Sequence, residues 1–155
     1  AIKGMQAYKI LPMIKHIPWN GRANLDSHIA LPEVNSNLSA LQKDFCTFKA
    51  LRHAPAAMTA HVKFTKIDKN NPATLSSKII NDIIRKKIGF EGLLFSDDIC
   101  MKALKGRYFF RSHKAIMAGC DLILHCDANI RTTVKSTLGA GLLKPDTIKK
   151  LKNIF

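Results

Sequence analysis

Gly92-Leu93-Leu94-Phe95-Ser96-Asp97-Asp98 is the stretch whose reading decides the fold. Gly89-Phe90-Glu91 leads into it, and the apolar run ends abruptly in two acids. A short, wholly apolar segment between turn residues reads as a strand buried on both faces, the kind found in parallel sheets. Carboxylates at the mouth of such a strand sit where α/β proteins carry out their chemistry. Three more segments read as buried strands: Ile10 to Ile14, Ala56 to Ala60, and Asp121 to His125. They end in Lys15-His16, His61 and His125, and Asp26-Ser27-His28 follows soon after the first. Polar clusters gathered at strand ends point to an active site rather than a flat binding patch.

Helical patterns fall between the strands. From Ser77 to Lys87, and on to Ile88, the isoleucines 79, 80, 83, 84 and 88 form one apolar stripe at helical spacing. Ser76 or Ser77 can cap its start and Gly89 can close it. Further helices are predicted near Leu38 to Phe48, over Arg107 to Ala118 with Gly119 as the stop, and from Pro145 onward. The last has apolar positions Ile148, Leu151, Ile154 and Phe155. Strands alternating with helices argue for an α/β fold with a parallel sheet, not a sandwich. The stretch from Pro18 to Ala50 departs from this alternation and reads as an ordered functional loop followed by a helix.

With 155 residues, 46% of them hydrophobic and 23% charged, the chain suits one globular domain with a real core, residues 1–155. No apolar stretch approaches the roughly 20 residues of a membrane helix, and no secretory signal is visible. The first residue is Ala and the first motif comes almost at once, so an excerpt of a longer protein is expected. The net charge of +14 comes from lysines scattered along the chain, with few aromatics among them. That pattern reads as a solvated surface, not a stacking platform for nucleic acid. Cys46, Cys100, Cys120 and Cys126 form no Cys-x-x-Cys pair and no zinc spacing, so buried free thiols in a reducing compartment are expected.

Taken in order, the motifs resemble one family closely. They are Lys15-His16-Ile17-Pro18, Asp26-Ser27-His28, Met58-Thr59-Ala60-His61, Pro72-Ala73-Thr74-Leu75-Ser76, Gly89-Phe90-Glu91-Gly92, Ser96-Asp97-Asp98 and Ala118-Gly119-Cys120-Asp121. The chain is similar to the β-N-acetylhexosaminidases of glycoside hydrolase family 3, of the bacterial peptidoglycan-recycling type. The resemblance implies a (β/α)8 TIM-barrel domain of roughly twice this length, of which this chain is the second half, about four βα units. A missing N-terminal half-barrel, or a copy of the chain, would then complete the fold.

The resemblance also implies roles. Asp97 matches the nucleophile of a retaining glycosidase. His28 matches the acid/base residue, and imidazole can give and then take one proton near neutral pH. Asp26 would hold and charge-stabilise that ring. Lys15 and His16 match the pair that contacts an N-acetylglucosamine unit. Asp98 reads as a helix-start residue, and the resemblance leaves the roles of His61 and His125 open. No metal and no cofactor are implied, and the expected location is cytoplasmic. The substrate would be a peptidoglycan-derived saccharide carrying terminal β-linked N-acetylglucosamine.

Departures stand beside these matches. The family tends to continue its Lys-His motif as Pro-Gly-His-Gly, where this chain has Pro18-Trp19-Asn20-Gly21. A Trp there is expected to strain the loop or fill space meant for sugar. Ile99-Cys100-Met101 replaces the family's usual Leu-Ser-Met. A half-barrel leaves open sheet edges, so a truncated, non-catalytic remnant is the alternative reading. A basic nucleic-acid-binding module ranks last, because it gives acids at strand ends no purpose.

Overall fold

The computed structural model describes residues 1–23 and 25–154. Four parallel strands form the main sheet in the order β1 (Met13–Ile17), β3 (Ala56–Thr59), β5 (Leu93–Asp98), β6 (Leu122–Leu124). A small parallel pair, β2 (Glu33–Val34) with β4 (Lys63–Phe64), sits apart from it. The helices are α1 (Ile2–Ala7), α2 (Leu38–Ala50), a π-type helix (Ile79–Ile88), α3 (Tyr108–Ala118), α4 (Ile130–Ala140) and α5 (Pro145–Lys152). The parallel sheet and alternating helices match the α/β expectation. Phe155, expected on the apolar side of α5, lies outside the described residues.

The core forms where the strands meet the helices. Every residue of β3 is buried, as a strand covered on both faces should be. Ile79, Ile80, Ile83, Ile84 and Ile88 pack inward from the π helix, and Leu41, Phe45 and Phe48 from α2. The Ser76 hydroxyl accepts the Ile79 N–H at 3.1 Å, and Gly89 closes the helix at φ +77°, so both predicted caps are present. Gly92 stands just before β5 because nothing larger fits: a Cβ there would lie 2.6 Å from the Ala54 and Pro55 carbonyl oxygens.

Three expectations need correction. The first strand is Met13–Ile17 rather than Ile10 to Ile14. Pro12 has no N–H to give a ladder, so pairing starts after it, and Lys15 and His16 lie inside the strand. β6 is only half-buried along its length, since it pairs with β5 alone and ends the sheet. The thiols are not all buried: Cys120 is, with burial pushing it up to about 12, but Cys46 and Cys126 are exposed. The sequence reading also missed α1, α4 and the small β2–β4 pair.

The N-terminal ends of the strands are tied by Asp121, just before β6. Its Oδ2 accepts the Leu94 N–H at 2.8 Å and Arg85 Nη2 at 2.8 Å. Its Oδ1 accepts the Thr147 hydroxyl and Lys150 Nζ, each at 3.1 Å. One buried carboxylate thus joins the π helix, β5, β6 and α5 at the end of the sheet opposite Asp97.

Candidate active site

Two register irregularities shape the C-terminal end of the sheet. Lys15 pairs with Met58 and Ile17 with Thr59, so His16 is one residue in excess on β1. Phe95 pairs with Leu122 and Asp98 with Leu124, so β5 carries one excess residue across Ser96-Asp97. Such bulges re-aim side chains and are common beside active sites. The Ser96 hydroxyl repairs the second ladder by accepting the Leu124 N–H at 3.0 Å. The Lys15–His16 and Ile17–Pro18 peptide bonds are cis.

The bulges bring two predicted residues together. His16 Nε2 lies 3.8 Å from Asp97 Oδ2. The Asp97 side chain is only 11% exposed, while that of His16 is 28% exposed. Burial lowers the His16 pKa, Asp97 opposes that, and the charges of Lys15 and His28 add to the lowering. His16 is therefore a largely neutral hydrogen-bonding group beside a carboxylate. Lys15 is exposed one residue earlier.

His28 stands on the exposed loop after β1. Its Nδ1 is 2.7 Å from Asp26 Oδ1, and the same oxygen accepts the His28 backbone N–H at 2.9 Å. The backbone bond, then the ring bond, lower the Asp26 pKa, so the carboxylate stays ionised and Nδ1 carries the hydrogen. That leaves Nε2 free to give or take a proton. The ring is 75% exposed, open to an incoming molecule.

Other residues lie elsewhere than expected. Asp98 starts no helix, because α3 begins only at Tyr108. Its Oδ1 accepts the N–H groups of Cys100 at 3.0 Å and Cys126 at 3.1 Å, joining the loops after β5 and β6. His61 is buried with both ring nitrogens bonded, so it has no free atom for a substrate. The His125 ring is held by Cys100 Sγ at 3.2 Å and the Ser136 hydroxyl at 3.0 Å. Trp19 does not point into open space. Its ring meets Phe48 of α2 edge-on at 6.3 Å and covers Gly21, where a Cβ would be 2.8 Å from the indole. Arg22 pairs with Asp44 of α2 and braces the loop that carries His28.

Thr59, Thr74 and the Arg22–Asp44 pair were not picked out as site-building groups from the sequence. The bulges gave no signal either, since a surplus residue shows only against the register of the paired strand. Among the described residues no group of three or more His, Cys, Asp or Glu side chains is placed to hold a metal ion.

A family profile described as "Glycosyl hydrolase family 3 N terminal domain" matches residues 1–152. A beta-hexosaminidase of Psychromonas ingrahamii is 37% identical over 150 residues, covering 93% of this chain and 44% of that protein. One from Actinobacillus succinogenes is 39% identical over 132 residues, covering 81% of this chain and 38% of the relative. Among solved structures, a glycoside hydrolase family 3 beta-N-acetylglucosaminidase from Paenibacillus sp. aligns with a TM-score of 0.86 at 28% identity, over 99% of this chain and 31% of that one. NagZ from Neisseria gonorrhoeae, in complex with N-trifluoroacetyl-D-glucosamine, aligns with a TM-score of 0.81 at 30% identity, over 99% of this chain and 44% of that one. The chain thus spans about two fifths of the length of such relatives, 44% and 38% of the two named above, and its parallel sheet is part of their barrel-type fold. On the profile match along nearly its whole length and on these identities, the chain belongs to glycosyl hydrolase family 3, within its N-terminal domain.

Proposed function

We propose that this chain is the second half of the catalytic barrel of a retaining exo-β-N-acetylglucosaminidase. The observation that carries the reading is the buried Asp97 carboxylate at a strand mouth, 3.8 Å from His16, with a separate Asp26–His28 dyad on the adjoining loop. Similarity to proteins named beta-hexosaminidase supports it.

Asp97 attacks the anomeric carbon and forms a glycosyl-enzyme intermediate, while His28 protonates the departing glycosidic oxygen through Nε2. Water then attacks the same carbon, His28 takes its proton, and configuration is retained. Asp26 stabilises the imidazolium that donates in the first step and re-forms in the second. Lys15 and His16 donate hydrogen bonds to sugar oxygens. No step needs a metal or a cofactor.

The substrate in this reading is a peptidoglycan-derived saccharide with terminal β-linked N-acetylglucosamine, met in the cytoplasm. Remaining sugar contacts come from an N-terminal half-barrel or from self-association. No described helix is long and apolar enough to cross a membrane. Trp19-Asn20, on the loop that carries Asp26 and His28, favours a second reading, a non-catalytic remnant of such an enzyme.

Hydrolysis of an aryl β-N-acetylglucosaminide tests the proposal. Turnover should vanish in Asp97→Ala and fall steeply in His28→Ala. Turnover that survives Asp97→Ala would sink the mechanism. No turnover once an N-terminal half-barrel completes the fold favours the remnant.

A further inference from the structure

His61 takes no part in the mechanism above, yet it is 1% exposed and bonded at both ring nitrogens. The Asp98 carbonyl can only accept, so the His61 nitrogen 2.9 Å from it, Nε2, carries hydrogen. Burial lowers the pKa of this ring, so it is neutral at neutral pH and Nδ1 is a bare lone pair. The hydrogen that fills this lone pair is that of the Thr74 hydroxyl, 2.8 Å away. Thr74 Oγ1 has then used its one hydrogen, so at 2.8 Å it accepts from the Thr59 hydroxyl. Thr59 Oγ1 in turn accepts the Asp97 backbone N–H at 3.2 Å. The Ala60 carbonyl, 3.2 Å from Thr74 Oγ1, is the weaker alternative for the same hydrogen.

We infer that His61 is a positioning residue for Asp97: with Thr74 and Thr59 it closes a directional ring of hydrogen bonds that starts and ends on the Asp97–Asp98 segment. The ring holds the N–H on one side of Asp97 and the carbonyl of the residue after it. The main chain is fixed on both sides of the carboxylate, and so is the direction in which that carboxylate points. All three supporting groups are buried, so water cannot substitute for any one of them. The inference rests on the reading of Asp97 as nucleophile. A displacement of about 1 Å at such a group slows reaction on the order of 100-fold.

Thr59→Val removes the hydroxyl at nearly constant shape. It should lower kcat about 10- to 100-fold with KM changed less than about twofold, and Thr59→Ser should recover most of that loss. His61→Gln, which keeps a donor toward Asp98, should retain more activity than His61→Phe. In the unliganded chain, ¹⁵N spectra at pH 7 should show the Nε2–H tautomer of His61. Exchange of the Asp97 amide should speed up about tenfold in His61→Phe, while that of Leu94 stays unchanged. A raised KM with unchanged kcat in His61→Phe would make the ring a substrate contact and overturn the inference. So would an Nδ1–H tautomer, or equal acceleration at Leu94 and Asp97. If activity survives Asp97→Ala, it is the functional reading that fails. The spectra and exchange rates then decide the ring alone.

Discussion

Asp97 and His61 illustrate how burial serves two ends in one site. Asp97 is buried with the His16 ring 3.8 Å away, and His61 is buried so that it stays neutral. The second case has a measurable consequence for stability. An unfolded imidazole titrates near 6.5, while in the folded chain burial holds His61 lower. The unfolded state therefore binds the proton first on acidification. The contribution of the neutral ring is complete above about pH 6.5 and is lost as pH falls toward the folded value. The melting temperature should accordingly drop below about pH 6.5, and the drop should be shallower in His61→Gln, as a pH series of thermal melts would measure. An equal slope in both proteins would remove His61 from the account.

At the scale of elements, packing depends on a few close approaches and one charged junction. Gly139 on α4 lies against α3, where a Cβ would come within 2.1 Å of the Phe109 carbonyl oxygen. Gly139→Ala should force the helices apart and destabilise the chain by about 1–3 kcal/mol, read by denaturant titration. Asp121→Asn leaves Arg85 and Lys150 without their shared carboxylate and should cost about 3 kcal/mol. Because this junction sits at the far end of the sheet from Asp97, the ratio of kcat to KM should hardly change in the surviving folded fraction. The elements themselves were largely legible. The apolar run before Asp97 and the isoleucine stripe gave β5 and the π helix, because burial imposes its period on the sequence. The start of β1 was misplaced because Ile10 and Leu11 are as apolar as the strand and only Pro12 separates them from it. α4 escaped notice because its apolar residues face outward and its buried ones are Ser136 and Gly139. The Asp26–His28 and Lys15–His16 motifs were legible as motifs. The threonine ring was not, since Thr59 and Thr74 meet only through tertiary folding.

At the scale of residues 1–155, apolar surface is left uncovered. Ile130, Val134 and Leu138 recur every fourth residue on α4 and are 71%, 49% and 66% exposed. Among the described residues, β1 and β6 each end the sheet with one side unpaired. Exposed apolar stripes and free strand edges promote association. The net charge of +14 opposes it by mutual repulsion. Light scattering of residues 1–155 should therefore show a mass that rises with concentration and rises further as salt screens the charge. Val134→Lys with Leu138→Lys should suppress it. An increase that disappears in salt would contradict this.

The surplus residue at His16 also bears on how the chain tolerates loss of length. Successive side chains of a strand face opposite ways, so each extra residue reverses the parity of everything after it. Deleting His16 would leave Lys15 and Ile17 as immediate neighbours facing consecutive residues of β3, Met58 and Thr59, with no gap in the ladder. A one-codon deletion there is expected to spare folding better than deletion of Ile17, which is fully buried. Deletion scanning would find the backbone most expendable at a position where the proposed chemistry is not.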